Sequence, residues 1–185
     1  MRALVTIPVL AAAIMGCGPK ADLAEQRVRQ LMQIWETGDT TRLAEIAASD
    51  VVYDDIPNGE RFEGLDGVRR YVGHVHSWAS QVTITVTAVH SGPDGAVAEW
   101  VMRGIQDRPI AGRVPVGTHR PFELSGATVV EVQEGRIARA ADYIDVLGFV
   151  LQLGARVELP GGGAIPAPDE AAQREHAADG AARRR

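Results

Sequence analysis

At Ser80 the apolar residues of this chain change their period, and that change limits the fold more than any other feature. Before it they recur at helical spacing. Ala24, Val28, Leu31 and Trp35 mark one stripe, so residues 22–37 should form an amphipathic helix that stops at Gly38. A short second helix should follow, capped by Asp39 or Thr40, with Leu43, Ile46 and Ala47 inward. Val51 to Ile56 reads as a strand ended by Pro57-Asn58-Gly59, and Leu65, Val68, Val72 and Val75 give a third helix. Beyond Ser80, Val82, Ile84 and Val86 alternate with Thr83, Thr85 and Thr87, which is a strand with one apolar face. A turn at Ser91 to Gly95 leads into Ala96–Met102. Gly and Pro recur through residues 104–119, predicting a long loop. Phe122 to Gln133 and Arg136 to Ile144 form a last hairpin joined at Glu134-Gly135. Helices first and a meander of strands after them predict an α+β fold, with helices covering one face of a curved antiparallel sheet.

Both ends of the chain read as lying outside this domain. Met1-Arg2 gives a positive start, and Ala3 to Gly16 is apolar apart from Thr6 and Pro8. Such a stretch is too short to span a bilayer and suits the core of a secretory signal. It ends at Ile14-Met15-Gly16-Cys17, which resembles the bacterial lipobox. The resemblance implies cleavage before Cys17, acylation there, and an exported protein anchored by lipid to a membrane of the bacterial cell envelope. Cys17 is also the sole cysteine, so no internal disulfide can form. After Gly154 the chain turns rich in Gly, Pro, Ala and charge and has no sustained apolar face, so it should stay disordered. The boundaries expected are a signal peptide over 1–16, a linker over 17–21, one domain over 22–154 and a tail over 155–185. A net charge of −5 argues against a nucleic-acid partner.

Within the domain the feature that most needs explaining is Asp142. It lies between Ala140 and Ile144 on one face of the last strand, and a carboxylate on an apolar face costs several kcal/mol unless something compensates. A ligand pocket is one compensation; an ion pair with Arg103 or Arg139 is another. Tyr53 and Asp55, two apart on a strand, share a side. If that side is the pocket, Asp55 and Asp142 are two carboxylates entering one apolar cavity from opposite ends of the sheet. The alternative for Asp55 is that it satisfies turn amides before Pro57. Asp54 faces the other way and should be solvated, and Asp145 reads as the N-cap of a final helix. Trp100 and Met102 share a face that lines either the pocket or the core, and the same choice holds for Trp35. His74 and His76 are two apart on a helix and diverge, so no metal site is expected. Neither a phosphate-cradling glycine loop nor a nucleophile elbow occurs, and no cofactor is implied.

The element order, the run GDTTRLAEIAASDVVYDDIP and the ending DYIDVLGFVLQLG resemble the nuclear transport factor 2-like superfamily, and within it the SnoaL-like polyketide cyclases. Limonene-epoxide hydrolase and ketosteroid isomerase are also similar. The resemblance covers nearly all of residues 22–154 and implies a cone of curved sheet around a deep, mostly apolar pocket. It places Asp142 on the cyclase Asp and Thr128 near the cyclase His. Tyr53, Asp55 and Asp142 resemble the Tyr, Asn and Asp of the epoxide hydrolases, while Trp100 and Met102 stand where their Arg-x-Asp pair would be. Asp55 falls on the isomerase general base, with Leu31 and Thr128 in place of its oxyanion hole. No site of the family is complete. The expectation is therefore a cone that binds a small, largely apolar molecule, with Tyr53, Trp35, Trp100 and Met102 around it. The alternative is an isomerase or cyclase in which Asp142 and Asp55 move a proton next to a carbonyl. A homodimer that covers the sheet face would also fit a binding or interaction domain.

Overall fold

The structure, a computed structural model, describes residues 19–165. Cys17 and the expected signal segment before it lie outside the described residues, as does the chain from residue 166. The amphipathic stripe forms α1, Pro19–Thr37, whose Ala24, Val28, Leu31 and Trp35 are all buried. It ends at Gly38, whose φ of 71° lets the amide close back onto the Ile34 carbonyl at 2.9 Å. The second helix is a single turn, α2, Leu43–Ile46, without a side-chain cap at its first residue. Ala47 already belongs to the strand that follows.

That strand, β1, runs over Ala47–Asp55 and is followed by a short strand that the sequence pattern did not announce, β2, Glu60–Glu63. Helix α3 covers Gly64–Trp78 and buries Val68, Tyr71, Val72 and Trp78. The period-two region forms four long strands: β3 Ala79–Gly92, β4 Gly95–Gln106, β5 Arg120–Gln133 and β6 Arg136–Ile144. Asp145 then caps α4, Val146–Gln152, by accepting from the Gly148 amide. A two-residue ladder, β7 Val157–Glu158 with β8 Ala164–Ile165, ends the described chain. Among the described residues, no helix is long and apolar enough to cross a membrane.

The six main strands lie in the order β2-β1-β6-β5-β4-β3. The sheet is mixed rather than wholly antiparallel, because β1 runs parallel to β6. Period-two patterning cannot distinguish the two arrangements, since it reports which face is apolar and not which strand lies alongside. The concave face holds the alternate residues Ala96, Ala98, Trp100 and Met102 of β4, Phe122, Leu124 and Val130 of β5, and Ala140 of β6, all buried. α1 crosses this face and α3 closes its open side, leaving the space between them as a pocket.

The connection from β4 to β5 is shorter than the sequence suggested, since β4 continues to Gln106. That side chain has no exposed surface and organises the loop behind it. Its amide donates to the Val116 carbonyl at 3.0 Å, and its oxygen accepts from the Thr118 amide at 2.6 Å and hydroxyl at 2.7 Å. A buried side-chain amide needs such partners. Here they fold residues 107–119 back over the mouth of the cone, where Ile110 and Val114 pair as a bridge.

Candidate functional site

The cavity inside the cone measures about 110 Å³, on the scale of voids that accept a single ring. Its walls are largely apolar and aromatic, with Met32, Trp35, Trp78, Trp100, Met102 and Phe149 among them. Asp142 and Asp55 are its buried carboxylates, 5 % and 3 % exposed. They do not approach from opposite ends of the sheet. The parallel pairing of β1 with β6 sets Asp55 directly beside Asp142, and the β5–β6 ladder sets Thr128 on its other side.

Asp142 is held by donors aimed at it. Tyr53 donates its hydroxyl proton to Oδ1 at 2.9 Å, and Thr128 donates to the same oxygen at 2.6 Å. Each of those hydroxyl oxygens in turn accepts an indole N–H, from Trp35 at 2.9 Å and from Trp100 at 2.9 Å. An indole nitrogen can only donate, so both hydroxyls are fixed as acceptors on that side and must point their protons at the carboxyl group. Tyr71 adds a longer contact, 3.5 Å, from its hydroxyl to Oδ2. The tyrosine rings pack edge-on with Trp35, and Phe62 stacks on Tyr71 at 4.3 Å between centroids.

Two opposed effects set the acidity of Asp142. Burial penalises the ionised form and raises its pKa, the bonds from Thr128 and Tyr53 offset part of that rise, and the net is a pKa of about 7. The Asp55 carboxyl beside it adds a smaller upward push. Tyr53 and Tyr71 are raised well above the ordinary phenol range, first by burial and then by the Asp142 charge, so both stay protonated donors. Asp55 is less well served. Its Oδ2 accepts from the Asn58 side-chain amide at 2.7 Å, and its Oδ1 is buried without a hydrogen-bond partner. At the mouth, Arg113 from the 107–119 loop donates to Asn58 Oδ1 and to Glu60 Oε1, the latter at 2.9 Å.

The sequence-derived residues thus fall as follows. Asp142, Asp55, Trp35, Trp100 and Met102 line the cavity, and Tyr53 stands behind Asp142 at 1 % exposure. The arginines proposed as partners of Asp142 are engaged elsewhere, Arg103 with Glu123 and Arg139 with Asp54 and Glu131. Asp54 is not solvated. It is 6 % exposed and ion-paired to Arg61 at 2.7 Å and to Arg139 at 3.0 Å. The bond from Arg61 is the main influence holding its pKa below the usual value, and Arg61 reaches it because β2 pairs with β1 at that register. His119 is exposed and bonded to Asp107, away from the cavity lining. Two residues of the site were not identified from sequence. Thr128 is marked in the sequence only as the residue near the cyclase His, without a role of its own, and Tyr71 looks like any other core position of α3. Among the described residues, no group of three or more His, Cys, Asp or Glu is placed to hold a metal ion.

The SnoaL-like domain family matches residues 28–140. Three solved neighbours echo the expected resemblances. IdmH from Streptomyces antibioticus, a candidate polyketide cyclase, is 23 % identical with a TM-score of 0.61, over 71 % of this chain and 99 % of its own. A protein of ketosteroid isomerase-like fold from Catenulispora acidiphila, in complex with trimethylamine, is 21 % identical with a TM-score of 0.58, over 68 % and 89 %. An epoxide hydrolase of M. tuberculosis, like limonene-epoxide hydrolase, is 17 % identical with a TM-score of 0.57, over 73 % and 92 %. At such identities the likeness is one of fold. A search of curated proteins gave no match.

The raised pKa of Asp142 has a consequence for stability. The folded state holds its proton up to about pH 7, whereas an unfolded aspartate releases it near pH 4. Between those limits the folded chain binds more protons, so this group's contribution to stability falls as pH rises from about 4 to 7, by a total on the order of 4 kcal/mol. Asp142→Asn keeps an acceptor for Tyr53 and Thr128 and removes the buried charge. Urea denaturation at pH 8 should find it more stable than the wild type, and at pH 5 the difference should shrink or reverse. A gap between the two proteins that does not change with pH would rule out this assignment.

Proposed function

The chain belongs to the SnoaL-like domain family, and from that premise we propose that its cone binds one small, largely apolar molecule against a proton-exchanging carboxyl group. A single observation carries this reading: Asp142, almost completely buried, sits in a largely apolar cavity with its acid–base point near neutrality. A few polar groups converging in an apolar hollow is the usual form of a small-molecule site. The neighbour of ketosteroid isomerase-like fold is in complex with trimethylamine, a small organic molecule, which agrees with a guest of this size.

Binding without a completed reaction centre is the better supported form of the proposal. Leu31, at the position corresponding to an oxyanion-hole tyrosine, is core. Thr128 is committed to Asp142, and Trp100 and Met102 bring no charge. Such a cavity lacks the preorganised donors that usually contribute most to catalysis at a carbonyl. One observation favours the second reading, an isomerase or cyclase. Oδ1 of Asp142 already accepts two donors, so in the acid form its proton resides on Oδ2. A carboxyl group poised near 7 suits proton exchange next to a carbonyl. In that reading Asp142 is the acid–base group, Asp55 its partner, and Tyr53 holds Asp142 in place.

The anchor belongs to the same proposal: Cys17 is acylated after removal of the signal peptide and ties the domain to a membrane of the cell envelope.

Native mass spectrometry of the purified chain should detect a small bound molecule that is lost in Leu124→Trp, a substitution that fills the cavity. Equal retention by both proteins would place the guest elsewhere. The enzyme reading predicts that wild-type protein catalyses solvent deuterium exchange into a bound ketone, and that Asp142→Asn slows this at least about a hundredfold; an unchanged rate removes it. Cys17→Ser should shift the protein from the membrane fraction to the soluble one, and persistence at the membrane would contradict the anchor.

A further inference from the structure

With Asp142 ionised, the inner cavity holds more hydrogen-bond acceptors than donors. Both indole N–H groups are taken by hydroxyls, and both of those hydroxyl protons are taken by Asp142 Oδ1. The Tyr71 hydroxyl has one proton to offer and two carboxylates nearby, and its contact with Asp142 Oδ2 is long at 3.5 Å. Arg113 is engaged at the mouth by Asn58 and Glu60, which also matches the Glu60 charge. Deeper in, Asp55 Oδ1 is buried without a partner, and the residue is 3 % exposed. Its register neighbour across the parallel ladder is Asp142.

This imbalance constrains the guest. A purely apolar molecule would seal Asp55 Oδ1 away from water and leave it unpaired, at the cost of an orphaned buried acceptor. A molecule whose only polar atom is a carbonyl or ether oxygen would bring one more acceptor to a site short of donors. A molecule that brings its own donors satisfies the site, and a cationic donor also balances the carboxylate charge. Resting on the binding reading above, we propose that the guest is a small primary alkyl- or arylalkylamine bound as its ammonium ion. Its N–H groups meet Asp55 Oδ1 and Asp142 Oδ2, and its apolar part lies among Trp78, Trp100 and Phe149. An ammonium offers three donors, enough for both oxygens with one to spare. Aromatic side chains around a desolvated cation add attraction of their own.

The test is a calorimetric titration of the full chain with benzylamine, benzyl alcohol and toluene, probes of nearly one shape that differ in the group they present. Benzylamine should bind at least about tenfold more tightly than benzyl alcohol, a difference well within what one charge-assisted contact supplies. In Asp55→Asn this preference should fall towards one. If toluene or benzyl alcohol binds as tightly as benzylamine, the amine is overturned and the apolar-binding reading stands. If none of the three binds, both are overturned. The probe series is read on unaltered protein, so it decides the matter even if Asp55→Asn does not fold.

Discussion

Everything distinctive in this fold is arranged around a buried carboxyl group. Asp142 stays folded into an apolar cone because two hydroxyls point at it, and the hydroxyls point at it because two indoles hold them from behind. The chain of bonds runs from Trp35 on α1 through Tyr53 on β1 to Asp142 on β6, then through Thr128 on β5 to Trp100 on β4. It therefore ties a helix and four strands to one side chain. A buried network of this kind specifies one arrangement of the elements it links. Gly126 shows how closely the backbone serves it. A Cβ at that position would lie 2.5 Å from the Trp100 ring, so only glycine lets the indole lie across β5.

The same network separates two demands that usually conflict. Stability asks that a buried carboxyl group be paired with a cation or left neutral. Proton exchange asks that it be neither firmly charged nor firmly neutral. Neutral donors meet both, since they stabilise the anion less than an arginine would. Asp54, one residue from Asp55 and on the opposite face of β1, illustrates the contrast. It takes Arg61 and Arg139 and is held firmly ionised. Two adjacent aspartates of one strand thus serve different ends because the faces of that strand differ.

Much of this was legible in the sequence, and the parts that were not share a cause. Strand β6 appeared with its observed limits because alternation is a local signal, and Asp142 stood out because it breaks that alternation with a charge. The cap at Asp145 was read from local chemistry alone. What escaped depended on which segments lie side by side. Glu60-Arg61-Phe62-Glu63 has a single apolar residue and no visible period, so β2 went unread, and with it the burial of Asp54. The parallel course of β1 beside β6 leaves no mark in either segment, so Asp55 was placed far from Asp142 when the two are neighbours. Thr128 reads in the sequence as a lone hydroxyl on a strand. Its role follows from having Trp100 behind it and Asp142 in front.

Asp142 is a neutral-poised acid inside the cone, and the most direct test of this is a carbon-13 NMR titration of its side-chain carboxyl signal. The midpoint should lie near pH 7, the net result of burial and of the hydroxyls that donate to the group. A midpoint at or below about 4, where an exposed aspartate titrates, would mean that water or a cation reaches the group. The cone would then not be the dry, acid-bearing cavity described here.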